Sequence, residues 1–302
     1  MKTLMKTLSK YLSLALFVAA TLPTQSAYIR TSPPANTIIP ATGPSPHFCK
    51  AIGGPAGETG NSLIQTSDGG YAIAGTTTSF GAGEWDVYVV KLDADGNLQW
   101  TKTIGGPGEE VGSSLIQTSD GGYAIAGGTR SFGAGGTDVY VVKLDANGNL
   151  QWTKTIGGKK EDLGISLIQT SGDGYAIAGV TNSFGLRGGD VYVVKLDANG
   201  NLQWTKTIGA KNGYLIKSSI IQTSDGSYFI AGTTRSFGAG GTDVYFIKLD
   251  KNGNACCAVS QTSRVGSGGR LRSATPSIGS GGTLTAPTSS TSSGGTLTNQ
   301  CP

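Results

Sequence analysis

Few residues in this chain of 302 could do chemistry, and they are scattered. One histidine is present, His47, with four cysteines, Cys49, Cys256, Cys257 and Cys301, all towards the ends. Adjacent cysteines with a single histidine fit no zinc spacing, so disulfide pairing is the expected use of these thiols. The clusters Asp93, Asp95, Asn97, then Asp145, Asn147, Asn149, then Asp197, Asn199, Asn201 have the alternate-residue spacing that opens a calcium loop. A calcium loop needs a bidentate carboxylate at its twelfth position, and these have Ile104, Ile156 and Ile208 there, so the clusters read as hairpin turns. Gln65, Gln117, Gln169 and Gln222, each followed by threonine, recur on segments without titratable side chains. Such amides could surround water or a small polar ligand, but they supply no general acid or base. No catalytic residue, metal or cofactor is therefore expected.

The elements that carry these residues repeat with a period of 52, marked by Trp100, Trp152 and Trp204 and by Ile52, Ile104, Ile156 and Ile208. The units beginning at Ile52 and Ile104 agree at 43 of 52 positions, and the fourth carries one extra residue. Each unit has four short apolar segments rich in β-branched and aromatic residues, at 114–118, 123–127, 138–145 and 150–156 in the second copy. The first two are separated by Asp120-Gly121-Gly122 and the last two by Asn147-Gly148-Asn149, pairs that accept the positive φ of tight hairpins. The third segment is apolar on both faces, which suits a sheet held between two others. The expectation is an all-β fold, a β-propeller of four 52-residue, four-stranded blades, with the tryptophans wedged between neighbours.

The segments Gly121-Gly122-Tyr123-Ala124-Ile125-Ala126-Gly127, Asp138-Val139-Tyr140-Val141-Val142-Lys143-Leu144-Asp145 and Gly148-Asn149-Leu150-Gln151-Trp152 resemble bacterial β-propeller repeat proteins of the SBBP family. The resemblance covers about residues 46–259. It implies a secreted or surface propeller whose role is mostly unknown. The ending from Asp145 to Trp152 is also similar to blades of quinone-dependent dehydrogenases, but the charged and metal-binding residues that such a cofactor needs are missing.

Outside the repeats, residues 1–27 combine Lys2, Lys6 and Lys10 with a short apolar run and small residues, the layout of a signal peptide. Residues 28–45 form a Pro-rich linker, 46–259 the propeller, and 260–302 a low-complexity Ser/Thr/Gly tail expected to be disordered. No stretch is long enough for a membrane span. Of the formal charge of +4, the leader lysines supply three, which leaves no basic surface for nucleic acid. Glycine, at 49 residues, is about one in six and falls mostly in the repeated turns.

The chain begins with a spare fourth strand in which Phe48 stands where other copies have tryptophan, and the fourth unit has Cys257 there. Phe48 is accordingly expected to complete the last blade of a monomeric ring, with Cys49 bonded to Cys256 or Cys257 and Cys301 to the other. A dimer sharing an eight-bladed ring is the alternative.

Differences between units concentrate in two loops that leave one end of each blade. They place Glu84, Trp85, Glu109, Glu110, Arg130, Lys159, Lys160, Arg187, Tyr214 and Arg235 on one face. Diversity on one face of a uniform scaffold suits binding, here of a surface protein or a glycan. The expected function is a secreted or cell-surface binding or structural scaffold. The alternative is a secreted enzyme, a hydrolase, lyase or quinone-type oxidoreductase, with its site on the same loops.

Overall fold

The computed structural model describes residues 49–185, 189–209, 215–235 and 242–255, with three short strands beyond them. The expected leader, the expected linker and most of the expected tail lie outside the described residues, as do Phe48, Arg187, Tyr214, Cys256, Cys257 and Cys301.

A short strand β1 (Lys50–Ala51) precedes the repeats. The first unit then folds into β2 (Glu58–Gln65), β3 (Tyr71–Thr77), β4 (Asp86–Leu92) and β5 (Leu98–Ile104). The second gives β6 (Glu110–Gln117), β7 (Tyr123–Thr129), β8 (Asp138–Leu144) and β9 (Leu150–Gly157). The third gives β10 (Asp162–Gln169), β11 (Tyr175–Thr181), β12 (Asp190–Leu196) and β13 (Leu202–Gly209). In the fourth, β14 (Leu215–Gln222), β15 (Tyr228–Thr234) and β16 (Asp243–Leu249) are followed by a single bridge from Leu249 to Ala255. Every pairing within a unit is antiparallel and joins consecutive strands. The fold is thus all-β, with propeller blades repeated along the chain.

The turns explain the tight connections. Between β2 and β3, Thr66 N donates to Gly70 O at 2.9 Å, and Asp68 Oδ1 accepts from Gly70 N. Gly69 sits at φ +82° and Gly96, in the β4 to β5 hairpin, at +73°, a region costly for residues with a Cβ. Asp93 fills the role its spacing suggested for a turn. Its Oδ1 accepts from Asp95 N and Asn97 N and its Oδ2 from Asn97 Nδ2, so the carboxylate closes its own hairpin.

The third strands β4, β8 and β12 are buried along their whole length. Their two faces contribute to different cores. Val87, Val89, Ala72 and Ala74 of the first blade cluster with Leu115, Ile125, Tyr140 and Val142 of the second, and two further clusters repeat this contact down the series. Inner strand β2 packs on β6, β6 on β10 and β10 on β14. No comparable packing joins β14 to β2 among the described residues.

Three short segments beyond the fourth blade add backbone pairing at strand edges. β17 (Arg264–Gly266) pairs with β13, β18 (Arg270–Arg272) with β9, and β19 (Thr298–Asn299) with β1. Such pairing covers edges that would otherwise invite association. Among the described residues no helix is long and apolar enough to cross a membrane.

Candidate functional site

The two variable loops meet at one end of each blade, and buried acids fix both. At the start of β6, Glu110 Oε2 accepts from Gly106 N at 2.7 Å, while Oε1 accepts from Thr129 Oγ1 and Ser131 N. One side chain therefore ties the loop entering the blade to the end of β7 and the loop after it. Glu58 and Asp162 do the same in the first and third blades, through Gly54 N and Thr77, and through Gly158 N and Thr181. Glu110 is fully buried, which corrects its expected place on the contact surface: the repeat needs a carboxylate under the loop, so this position is not free to face a partner. Leu215 pairs with Thr234 where these acids pair with threonine, so no carboxylate stands at this register position in the fourth blade.

A second acid starts each third strand. Asp86 Oδ2 accepts from Ala82 N at 3.0 Å and Gly83 N at 3.2 Å and folds the loop between β3 and β4, and Asp138 takes Ala134 N in the same way. A methyl group on Gly105 would collide with both Asp86 Oδ1 and Glu110 Oε2, so the two carboxylates face one another across that glycine. Asp86 Oδ1 has no hydrogen-bond partner among the described residues. Burial, with the Glu110 charge beside it, pushes the Asp86 carboxyl up to about 6. Sequence reading missed this layer because the two acids lie 24 positions apart and meet only when one blade stacks on the next. Their recurrence as Asp138 and Asp162 was the available signal.

Above this layer sit the predicted contact residues. Trp85 is partly exposed, and its backbone bridges to Glu109, with Glu110 N donating to Trp85 O at 2.8 Å. Arg130 pairs with Glu109 at 2.7 Å and donates from Nε to Thr137 Oγ1. Glu84, Lys159 and Lys160 are exposed, and Lys160 N donates to Ser183 Oγ. Arg235, also exposed, reaches Thr242 Oγ1 at 3.4 Å. The structure thus brings Trp85, Glu109 and Arg130 together across the first two blades, with Glu84 beside Trp85, while Lys159, Lys160 and Arg235 belong to loops of the later units.

The opposite end is built differently. Gln117 Oε1 accepts from Ser67 N of the preceding blade at 2.8 Å, Gln169 from Ser119 N and Gln222 from Ser171 N. The repeated amides are latches between blades, which corrects their reading as a polar lining open to a ligand. Trp100 packs edge-on against Tyr123 at 5.6 Å, and Trp152 and Trp204 repeat the contact with Tyr175 and Tyr228. Beside Trp100 lies a cleft of about 590 Å³ lined by Asp68, Lys91, Gln117, Tyr123 and Asn147. Lys91 and Asp68 pair there at 2.9 Å, and hydrogen bonds from Thr66 and Lys91 hold the Asp68 carboxyl down near 2. Cys49 is exposed, and its candidate partners lie outside the described residues.

Fold and repeat together define a β-propeller repeat protein. A family described as a domain of unknown function (DUF5122) beta-propeller matches residues 66–98, 118–150 and 223–256, the same stretch of the first, second and fourth units. The chain is 32% identical over 122 residues to the regulatory protein FlaEY of Caulobacter vibrioides, covering 35% of this chain and only 13% of that protein. Among solved structures, an endo-arabinase from Bacteroides thetaiotaomicron aligns over 72% of this chain and 96% of its own, at 9% identity and a TM-score of 0.37.

Proposed function

We infer that the chain is an exported or cell-surface binding scaffold that engages a surface protein or a glycan through its variable loop end. The observation that carries this reading is Trp85, an aromatic side chain exposed on a loop whose backbone is fixed to the next blade beside Glu109 and Arg130. A large ring held rigidly next to a charged pair costs little conformational entropy on binding, as contact residues at interfaces require. The acids best placed for proton transfer, Asp86 and Glu110, support a structural rather than a catalytic role, since both are buried and engaged with loop amides. Screening the full chain against glycans and surface proteins tests the reading. Trp85→Ala and Arg130→Ala should each weaken any captured ligand about tenfold or more, and full retention by both would refute it.

A further inference from the structure

At the end opposite the variable loops, the cleft beside Trp100 holds polar groups that the fold does not use up. It lies between the first two blades, with Asp68, Lys91 and Gln99 on one wall and Tyr123 and Asn147 on the other. Its volume of about 590 Å³ is that of a small-molecule site. The hydrogen bond from Ser67 N to Gln117 Oε1 joins the two walls at 2.8 Å, so the cleft is formed before any ligand arrives.

Lys91 has no donor left for a ligand. Its ammonium donates to Asp68 Oδ1 at 3.2 Å, to Asp68 Oδ2 at 2.9 Å and to Leu92 O at 2.8 Å, and its side chain is 4% exposed. Asp68 is the opposite case. Its Oδ1 also accepts from Thr66 Oγ1 and Gly70 N, but Oδ2 accepts from Lys91 alone and the side chain is 53% exposed, which leaves an acceptor for the cleft. With its carboxyl held near 2, Asp68 stays ionised at neutral pH. Burial, with the Asp68 charge nearby, pushes the Tyr123 hydroxyl up to about 12, so it stays protonated. Gln99 and Asn147 are exposed, and their side-chain amides make no hydrogen bond among the described residues. Trp100 is partly exposed between them.

We propose that this cleft binds a neutral saccharide, one sugar ring lying against Trp100 while its hydroxyls bond to Asp68 Oδ2, Gln99 and Asn147. Charge decides against the other ligand classes. An anion would meet the ionised Asp68 and a lysine whose hydrogens are taken, and a cation would find that carboxylate already neutralised by Lys91. A wholly apolar ligand would cover a carboxylate and two amides without bonding them, which is unfavourable. A sugar ring supplies hydroxyls that both donate and accept, together with an apolar C–H face for the indole. Later copies of the cleft are altered. Asp173 stands in the second where the first has Gly121, and it takes hydrogen bonds from Gln169 Nε2 and Ser119 Oγ, adding a carboxylate to the lining. In the third, Gly172 replaces the acid and Lys251 the alanine of the hairpin. The first cleft therefore takes the ligand, one molecule per chain, and this site does not rest on the reading of the loop end.

Isothermal titration of the full chain with trisaccharides of glucose, xylose, mannose, galactose, arabinose and N-acetylglucosamine tests this. Saturable binding of at least one of them is expected. Gln99→Ala and Asn147→Ala, exposed and without a fold contact through their amides, should each weaken it about fivefold, and Asp68→Asn about tenfold or more. The third blade forms its strands with Gly172 in place of the acid, so Asp68→Asn is expected to fold, which circular dichroism checks. Trp85→Ala should leave the affinity unchanged. Affinity lost with Trp85→Ala and kept in the three cleft variants would move the saccharide to the loop end and overturn the proposal. So would the absence of binding by every trisaccharide at millimolar concentration, or binding untouched when Asp68→Asn, Gln99→Ala and Asn147→Ala are combined.

Discussion

Asp86 of the first blade and Glu110 of the second face one another across Gly105, both almost wholly removed from water and with no cation between them among the described residues. Burial raises the Asp86 carboxyl from 3.8 to about 6, so the folded chain holds a proton there that the unfolded chain has released between those values. Stability from this group is therefore greatest below pH 4 and declines as pH rises to about 6. Asp86→Asn keeps an acceptor for Ala82 N and offers an amide donor towards Glu110. It should abolish that decline and raise stability at pH 7 by about 2 kcal/mol, on the scale of a two-unit shift. Urea denaturation at pH 4.5 and 7 decides it, and equal pH dependence in both proteins would reject the pairing.

Lys195 shows what the repeat loses when one turn changes. Lys91 and Lys143 pair with Asp68 and Asp120, but the third unit reads Gly172-Asp173, and Lys195 Nζ donates to Leu196 O. Burial lowers the Lys195 pKa. Asp173 meanwhile takes φ +57°, the region that glycine occupies in the other copies, and a Cβ on Gly172 would meet open space. Exchanging the two residues, Gly172→Asp with Asp173→Gly, should stabilise the chain by about 1 to 2 kcal/mol through relieved strain and a restored ion pair. A melting temperature unchanged or lowered would count against both terms.

Much of the fold could be read from the period and the turn residues, because hairpins are local: Asp68 and Gly69, or Asp93 and Asn97, specify their turns within five positions. Contacts between blades were less legible. The partners Ser67 and Gln117, or Asp86 and Glu110, are joined only by stacking, and a glutamine on an inner strand gives no sequence sign of whether it faces a channel or a neighbouring turn. The contact surface was readable as a set of varied positions, yet variation alone did not separate exposed Trp85 from buried Glu110. Closure was the hardest to read, since no motif within a 52-residue unit says how the first and fourth blades are covered.

Trp152 packs edge-on against Tyr175 and beneath Gly200 of the following blade, whose hairpin leaves no room for a Cβ beside the indole. Truncating so large a partly buried ring removes both the apolar contact and the edge-to-face pairing. Trp152→Ala should cost about 3 kcal/mol in denaturant unfolding, and Trp152→Phe roughly half of that. A cost under about 1 kcal/mol for the alanine variant would mean that the indole does not hold the two blades together.

Gln169 latches the second blade to the third, with Oε1 accepting from Ser119 N at 2.8 Å and Nε2 donating to Ser119 Oγ at 3.0 Å. Gln65 occupies the same place in the first blade, where no earlier turn lies among the described residues, and its side chain is exposed. The repeat thus supplies its own control. Gln169→Ala should lower stability by about 1 kcal/mol, the usual net worth of a latch that water can partly replace, while Gln65→Ala stays within about 0.5 kcal/mol. Equal losses at the two positions would show that the amide acts within its own blade, through strand propensity or the adjoining turn, and that the stacking of blades owes nothing to it.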